Sequence, residues 1–175
     1  MLPPFSVLEQ IAIHRRKAAI PVKTDTTRYF AAACIIGLIH AAFSGYWAAG
    51  GRWMLGTVGS WATEWVDTDP TTARAVLGGL TVFKLAAAVL PLLALLNRVP
   101  LRRPIFAISW VGSVVLIAWG GLSFVGAAVG LIATAENRGV KIGHLFFDGA
   151  FFLWGTALLA GLILSRRAER PALAH

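Results

Sequence analysis

The chain has 175 residues, a formal net charge of +8 and a composition that is 57% hydrophobic and only 14% charged. Because soluble domains carry about a quarter charged residues, this composition excludes an ordinary soluble fold. Its basic residues flank apolar runs, which indicates membrane topology and argues against a nucleic-acid partner. The single cysteine, Cys34, excludes an internal disulfide and a zinc–cysteine cluster.

The first predicted element is a basic cytoplasmic leader, residues 1–28. Its apolar residues between positions 5 and 13 are followed directly by His14, Arg15, Arg16 and Lys17. This pattern is typical of a short helix that lies on an anionic membrane surface. A partly disordered leader is the open alternative.

Four apolar runs follow, and each can cross about 30 Å of hydrocarbon at about 1.5 Å per residue. They cover residues 29–49, 73–96, 105–133 and 143–164, and residues 165–175 form a cytoplasmic tail. The sequence therefore predicts an all-α fold, a polytopic membrane protein whose residues 29–164 form a bundle of four transmembrane helices.

Lysine and arginine concentrate in the leader, in the connection after the second run and in the tail. The two latter groups are Arg98, Arg102 and Arg103, then Arg166, Arg167 and Arg170. The positive-inside rule therefore predicts a multi-pass protein of the cytoplasmic (inner) membrane with both flanks in the cytoplasm. Trp53, Trp61 and Trp65 then fall in an outer connection, where they suit an aromatic belt or a cap over the bundle.

The third run carries a stripe that we expect to face the interior, because helices in lipid associate through small and polar residues. The stripe consists of Ser109, Gly112, Leu116, Trp119, Ser123, Gly126 and Gly130.

Ionisable residues within the spans are functional-site hypotheses because burying a charge in lipid is costly, and three of them stand out. They are His40, Lys84 and Asp148, each on a different run. Lys84 leans toward the start of its helix, which brings it to the level of Asp148. We therefore expect an ion pair between Lys84 and Asp148. It either locks two helices together or lines a ligand or proton site.

His144 and Asp148 lie one helical turn apart, on one face of the last run. Together with His40 they have the residue types of a metal site. We expect no metal, however, because His40 lies near the middle of the membrane and His144 at its outer boundary. The same mismatch argues against a bis-histidine haem, and no motif specifies another cofactor. The sequence contains no nucleophile elbow, phosphate-binding glycine loop or HExxH motif.

The first and last runs resemble a known family on two motifs. These are His40 followed by Tyr46-Trp47-Ala-Ala-Gly50-Gly51, and Asp148-Gly-Ala-Phe151-Phe152-Leu-Trp154-Gly155. The family consists of small four-helix bacterial membrane proteins catalogued as a domain of unknown function. The resemblance covers residues 29–164 and implies a four-helix fold, but it implies no activity.

These features favour a binding or accessory membrane protein with a polar and aromatic pocket in the outer half of the bundle. The pocket residues are His40, Trp47, Lys84, Trp119, His144 and Asp148. An amphiphile such as an isoprenoid, a quinone or a lipid headgroup suits this lining. The alternatives are a membrane enzyme with His40 or Asp148 as general acid/base, and a structural subunit. Expected partners are the lipid bilayer and further membrane subunits or copies of the chain.

Overall fold

The structure, a computed structural model, describes residues 24–169. These residues form five α-helices and one 3-10 turn. The helices are α1 (Thr24–Ala48), α2 (Ser60–Thr68), α3 (Pro70–Leu95), α4 (Arg102–Ala133) and α5 (Arg138–Glu169), and the turn is Leu55–Thr57. The helices α1, α3, α4 and α5 are long and apolar enough to cross a membrane. The predicted all-α four-helix architecture is confirmed, and the chain is a multi-pass membrane protein by this criterion.

The helices extend beyond the predicted spans at most of their ends. α3 begins at Pro70 because proline suits the first helical turn and the Asp69 carboxylate accepts a hydrogen bond from Thr72 N, at 3.2 Å. α5 runs from Arg138 to Glu169, although the predicted span covered only 143–164. Hydropathy marks the part of a helix that lies in hydrocarbon, and helical hydrogen bonding continues into the flanking polar residues.

The bundle is organised around α1 and α5, which pack against each other. α1 also packs along α3, and α5 packs along α4, whereas α3 and α4 pack against each other less extensively. Gly37 of α1 allows a close approach, because a Cβ there would lie 2.6 Å from Ala88 Cβ and 2.7 Å from the Trp154 ring. The α1 backbone therefore lies directly against both α3 and α5.

The buried stripe of α4 differs in phase from the predicted one. Its buried residues are Ser109, Ser113, Gly120 and Ala127. Trp119 is 66% exposed, and a Cβ added at Gly112 or Gly126 would meet nothing within 4 Å. The predicted stripe is therefore wrong for these three residues, by one position or about 100° of rotation. Because the run is apolar on all sides, helical spacing predicted that a buried stripe exists but did not determine which side of the helix it occupies.

Residues 49–69 fold over one end of the bundle, which we call the capped end. Leu55 and Ala62 are buried against Trp47 and Phe147. The indole nitrogen of Trp47 donates a hydrogen bond to Trp53 O, at 2.9 Å. The cap therefore closes over the ends of α1 and α5 that lie beside it.

An ion pair and two exposed indoles mark the surface of this cap. Arg52 donates two hydrogen bonds to the Asp67 carboxylate, at 2.7 and 3.0 Å. Trp53 and Trp61 are exposed, as an interfacial aromatic belt requires. The orientation of this end relative to the cell stays a prediction.

Candidate functional site

A polar layer lies between two apolar clusters of the bundle. Towards the capped end, Trp47, Leu55, Ala62 and Phe147 form one cluster. Below the polar layer, the second cluster contains Phe30, Ala33, Ala88, Leu95, Trp154, Leu158 and Leu162. His40 and Ser44 of α1 and Lys84 of α3 fall between these clusters along their helices. The polar atoms are therefore enclosed by apolar side chains on both sides.

The α1 side of the polar layer follows from helical spacing. His40, Phe43, Ser44 and Trp47 occupy positions i, i+3, i+4 and i+7, so they share one face. His40, Ser44 and Trp47 are buried, with exposed fractions of 5%, 1% and 6%. This face therefore points into the bundle, and it offers a ring nitrogen and a hydroxyl group at the level of Lys84.

Lys84 is the cation of this layer, and its side chain is 8% exposed. Its Nζ donates a hydrogen bond to Ser44 Oγ at 2.8 Å and lies 3.1 Å from His40 Nδ1. A lysine side chain on a helix leans toward the N-terminus of that helix. Because α3 begins at the capped end, the amine reaches towards that end and meets Ser44 and His40.

An aromatic ring from α5 covers the other side of the polar layer. The Phe151 ring stacks on the His40 ring, with 3.9 Å between centroids and 24° between planes. Lys84 Nζ lies 5.3 Å from the centroid of the same Phe151 ring, a distance that permits a cation–π contact. Phe151 in turn packs against α4, since a Cβ at Gly120 would lie 3.0 Å from Phe151 Cβ. All four long helices therefore meet at this level.

Asp148 is buried as well, but it belongs to a separate pair. His144 Nδ1 donates a hydrogen bond to Asp148 Oδ2 at 2.6 Å, within α5. The Asp148 side chain is 10% exposed and that of His144 is 42% exposed. The carboxylate is therefore enclosed, and the histidine connects it to the protein surface near the capped end.

The predicted ion pair between Lys84 and Asp148 is wrong. Among residues 24–169, Asp148 has an ion pair only with His144, and the polar contacts of Lys84 are His40 and Ser44. Lys84 reaches towards the start of its own helix, as predicted, but its buried face turns towards α1. On α5, Phe147 and Phe151 face that side, while the Asp148 backbone packs against Gly120 of α4.

Of the six predicted site residues, the structure brings His40 and Lys84 into contact and places Trp47 in the cluster above them. His144 and Asp148 form the second pair. Trp119 points away from the interior. Ser44 was not among the predicted site residues, although its position one turn from His40 on the same face was a usable signal.

The glycine pair of the Tyr46-Trp47-Ala-Ala-Gly50-Gly51 motif is required by local geometry. Gly50 has a φ of 96°, which non-glycine residues rarely adopt. The Tyr46 ring lies so close to Gly51 that any Cβ there would collide with it. The motif therefore builds the tight turn by which α1 leads into the cap.

No three histidine, cysteine, aspartate or glutamate side chains lie close enough to hold a metal ion in the part of the chain that the structure covers. A scan against protein-family models finds no match, and searches of curated proteins and of solved structures find none either. The functional interpretation therefore rests on the site itself.

Proposed function

We propose that this protein is a binding or accessory membrane protein that holds an amphiphile, with the ligand's polar head at Lys84. An isoprenoid, a quinone or a lipid headgroup belongs to this class. The proposal rests on one observation. Lys84 is a buried amine whose hydrogen-bond partners are the imidazole of His40 and the hydroxyl of Ser44, and neither of these groups supplies a negative charge.

The hydrogen-bonding capacity of an ammonium group gives this observation its meaning. An ammonium has three N–H donors and no acceptor. Two donors are directed at His40 and Ser44, and within residues 24–169 no carboxylate lies within ion-pair distance of Lys84. One donor and one positive charge are thus left for a ligand. An oxygen atom that is anionic or strongly polarised is the complementary group.

The surroundings of Lys84 favour a ligand that dissolves in the bilayer. Phe151 lies beside the amine, and Phe43, Trp47 and Phe147 pack together between the polar layer and the capped end. This aromatic layer separates Lys84 from the aqueous phase at that end. A ligand with an apolar tail and a small polar head suits such a site.

Native mass spectrometry of the gently purified protein tests the proposal. The wild-type protein should retain a bound amphiphile, and Lys84→Met should lose it. A hydrogen bond to a charged group contributes about 1.5–3 kcal/mol, so affinity for the ligand should fall about tenfold to a hundredfold.

The matched control is Lys141→Met, which removes a lysine that binds Gly130 O and Thr134 at the end of α4. This control should retain the ligand. Equal retention by both variants would contradict a role for Lys84. The same spectra report partner subunits, which would support the structural-subunit alternative.

A membrane enzyme is the second candidate, and the His144 and Asp148 pair favours it. A carboxylate that accepts a hydrogen bond from Nδ1 orients a histidine for proton transfer at Nε2. The acid/base role would then belong to His144, with Asp148 as its positioning residue and not as the base itself. Turnover of the ligand found by mass spectrometry, abolished by His144→Gln, would establish this function.

We also propose that the capped end faces outside and that both flanks lie in the cytoplasm of a bacterial inner membrane. The arginine distribution supports this orientation, and the resemblance of the two motifs to small bacterial membrane proteins supports the bacterial membrane. Ser60→Cys in a Cys34→Ala background should react with an impermeant thiol reagent in intact cells. Labelling only after lysis would overturn the orientation.

A further inference from the structure

His40 carries a buried nitrogen that the interactions described above do not use. Its Nε2 atom has no hydrogen-bond partner among the described residues, and only 5% of the residue's surface is exposed. A buried polar atom without a partner is uncommon in native proteins and calls for a reason.

The contact with Lys84 determines which atom of His40 carries the proton. A neutral imidazole has one N–H donor and one bare acceptor nitrogen, whereas an ammonium only donates. Since Lys84 Nζ lies 3.1 Å from Nδ1, Nδ1 is the acceptor and the proton is on Nε2. The unpartnered atom is therefore an N–H donor.

A second unpartnered donor lies on the neighbouring ring. Trp154 Nε1 is also buried without a partner in the described part of the chain, and indole nitrogen can only donate. The Phe151 ring stacks with both His40 and Trp154, at centroid distances of 3.9 and 6.3 Å. The interior around Phe151 thus has donors in excess, and the carboxylate of Asp148 is already bound to His144.

We infer that His40, fixed with its proton on Nε2, presents a second donor on the side of its ring away from Lys84, and that these two donors together select a ligand whose polar groups carry oxygen acceptors and no donors. This inference rests on the proposed function and specifies its ligand. A quinone carbonyl, a carboxylate and a phosphate ester share this chemistry. A quinol or an alcohol also brings a hydroxyl hydrogen, which neither the ammonium of Lys84 nor the Nε2–H of His40 can accept.

Nitrogen NMR on protein with isotope-labelled histidine tests the first step without any ligand. The His40 signals are identified by their loss in His40→Asn. Nδ1 should show the chemical shift of a bare nitrogen and Nε2 that of a protonated one. A proton on Nδ1 would overturn the inference, whatever the protein binds.

Paired probes with matched tails test the second step. Decylubiquinone carries carbonyl groups where decylubiquinol carries hydroxyl groups, and the two are otherwise alike. Dodecanoate and dodecanol form a second pair, in which an anionic head is compared with a hydroxyl head. Binding is measured by the rise in thermal unfolding temperature of protein in nanodiscs. The head with acceptors should bind about threefold to tenfold more tightly in at least one pair. A preference within the ubiquinone pair would indicate a quinone ligand, and a preference within the dodecanoate pair would indicate an anionic lipid.

Two variants connect this preference to His40. In His40→Asn the amide oxygen takes the place of Nδ1 as an acceptor for Lys84, but no atom replaces Nε2. The preference should disappear in this variant. The control Thr81→Val changes a hydroxyl of α3 that binds Leu77 O, and it should keep the preference.

The results separate this inference from the proposed function. Equal binding of both heads in each pair, with binding lost in Lys84→Met, would overturn the inference and leave the proposed function standing. A preference that persists in His40→Asn would also overturn the inference. Absence of binding by all four probes, with no ligand lost in Lys84→Met, would overturn both.

Discussion

The two buried polar groups of this protein are built in opposite ways. His144 and Asp148 lie on one helix, one turn apart, and form a hydrogen bond with each other. Lys84 instead reaches across to another helix and meets His40 and Ser44. The local pair depends only on helical geometry, whereas the interhelical group depends on how α3 is rotated against α1. The local pair contains both a carboxylate and its hydrogen-bond donor, whereas no carboxylate among the described residues lies within ion-pair distance of Lys84.

The largest expected effect comes from the α4 contact on which both groups depend. A Cβ at Gly120 would lie 2.5 Å from Asp148 O and from Phe152 N, both backbone atoms of α5. Gly120→Val should therefore push α5 away and destabilise the protein by about 1–3 kcal/mol or more. An SDS titration of the purified protein measures this loss.

Gly126→Val is the matched control for this experiment, because a Cβ there meets nothing within 4 Å. It should change stability by no more than about 0.5 kcal/mol. Equal losses in the two variants would show that the α4 face has been assigned incorrectly.

A smaller effect is expected from Asp148→Asn, which tests whether the local pair is self-contained. The amide keeps an oxygen acceptor for His144 and removes only the charge, so the cost should be about 0.5–1.5 kcal/mol. Were Asp148 the partner of Lys84, the variant would leave a central lysine charge unpaired, at about 2.5–3.5 kcal/mol. The free energy of unfolding distinguishes these values. The control Asn97→Asp adds a negative charge at an exposed turn, so it shows how much a change in net charge alone affects stability.

The smallest effect belongs to the exposed ion pair of the cap. The hydrogen bonds from Arg52 hold the pKa of Asp67 below its ordinary value of 3.8. A lowered carboxyl pKa stabilises the folded state above the unfolded-state value, and this contribution is lost as the pH falls through the folded-state value. Asp67→Asn should therefore lower the unfolding temperature slightly at neutral pH and have no effect in acid.

Salt provides an independent check on the same pair, because exposed charges are screened. The difference in unfolding temperature between wild type and Asp67→Asn should shrink as ionic strength rises. Glu64→Gln removes another carboxylate of α2, one that forms no ion pair with any described residue. The difference between wild type and Glu64→Gln should show no such dependence on ionic strength. If the difference in unfolding temperature between wild type and Asp67→Asn grew in acid, it would contradict a stabilising ion pair between Arg52 and Asp67.

The sequence was sufficient for the fold because membrane insertion imposes a strong and simple pattern. Apolar runs of membrane length predicted the four long helices, and the i, i+4 spacing placed His144 beside Asp148. The shared face of His40, Ser44 and Trp47 also followed from spacing. Each of these results concerns one helix alone.

The wrong predictions all concern rotation of one helix against another. Trp119 faces outwards because α4 is apolar all round and its phase is set by Gly120, where the α5 backbone approaches. Lys84 pairs with His40 because Gly37 draws α1 against α3 and α5. A single sequence contains the glycines, but only the packed bundle shows which of them form contacts.

The most direct test of the account is a pair of double-mutant cycles read by the free energy of unfolding. Lys84→Met with His40→Phe, which keeps the ring on Phe151, should show a coupling of about 0.6–1.7 kcal/mol, as interhelical hydrogen bonds in membranes do. Lys84→Met with Asp148→Asn should be additive within about 0.5 kcal/mol. Coupling in the second cycle and additivity in the first would contradict the account, since Lys84 would then be paired with Asp148 and would have no charge to offer a ligand.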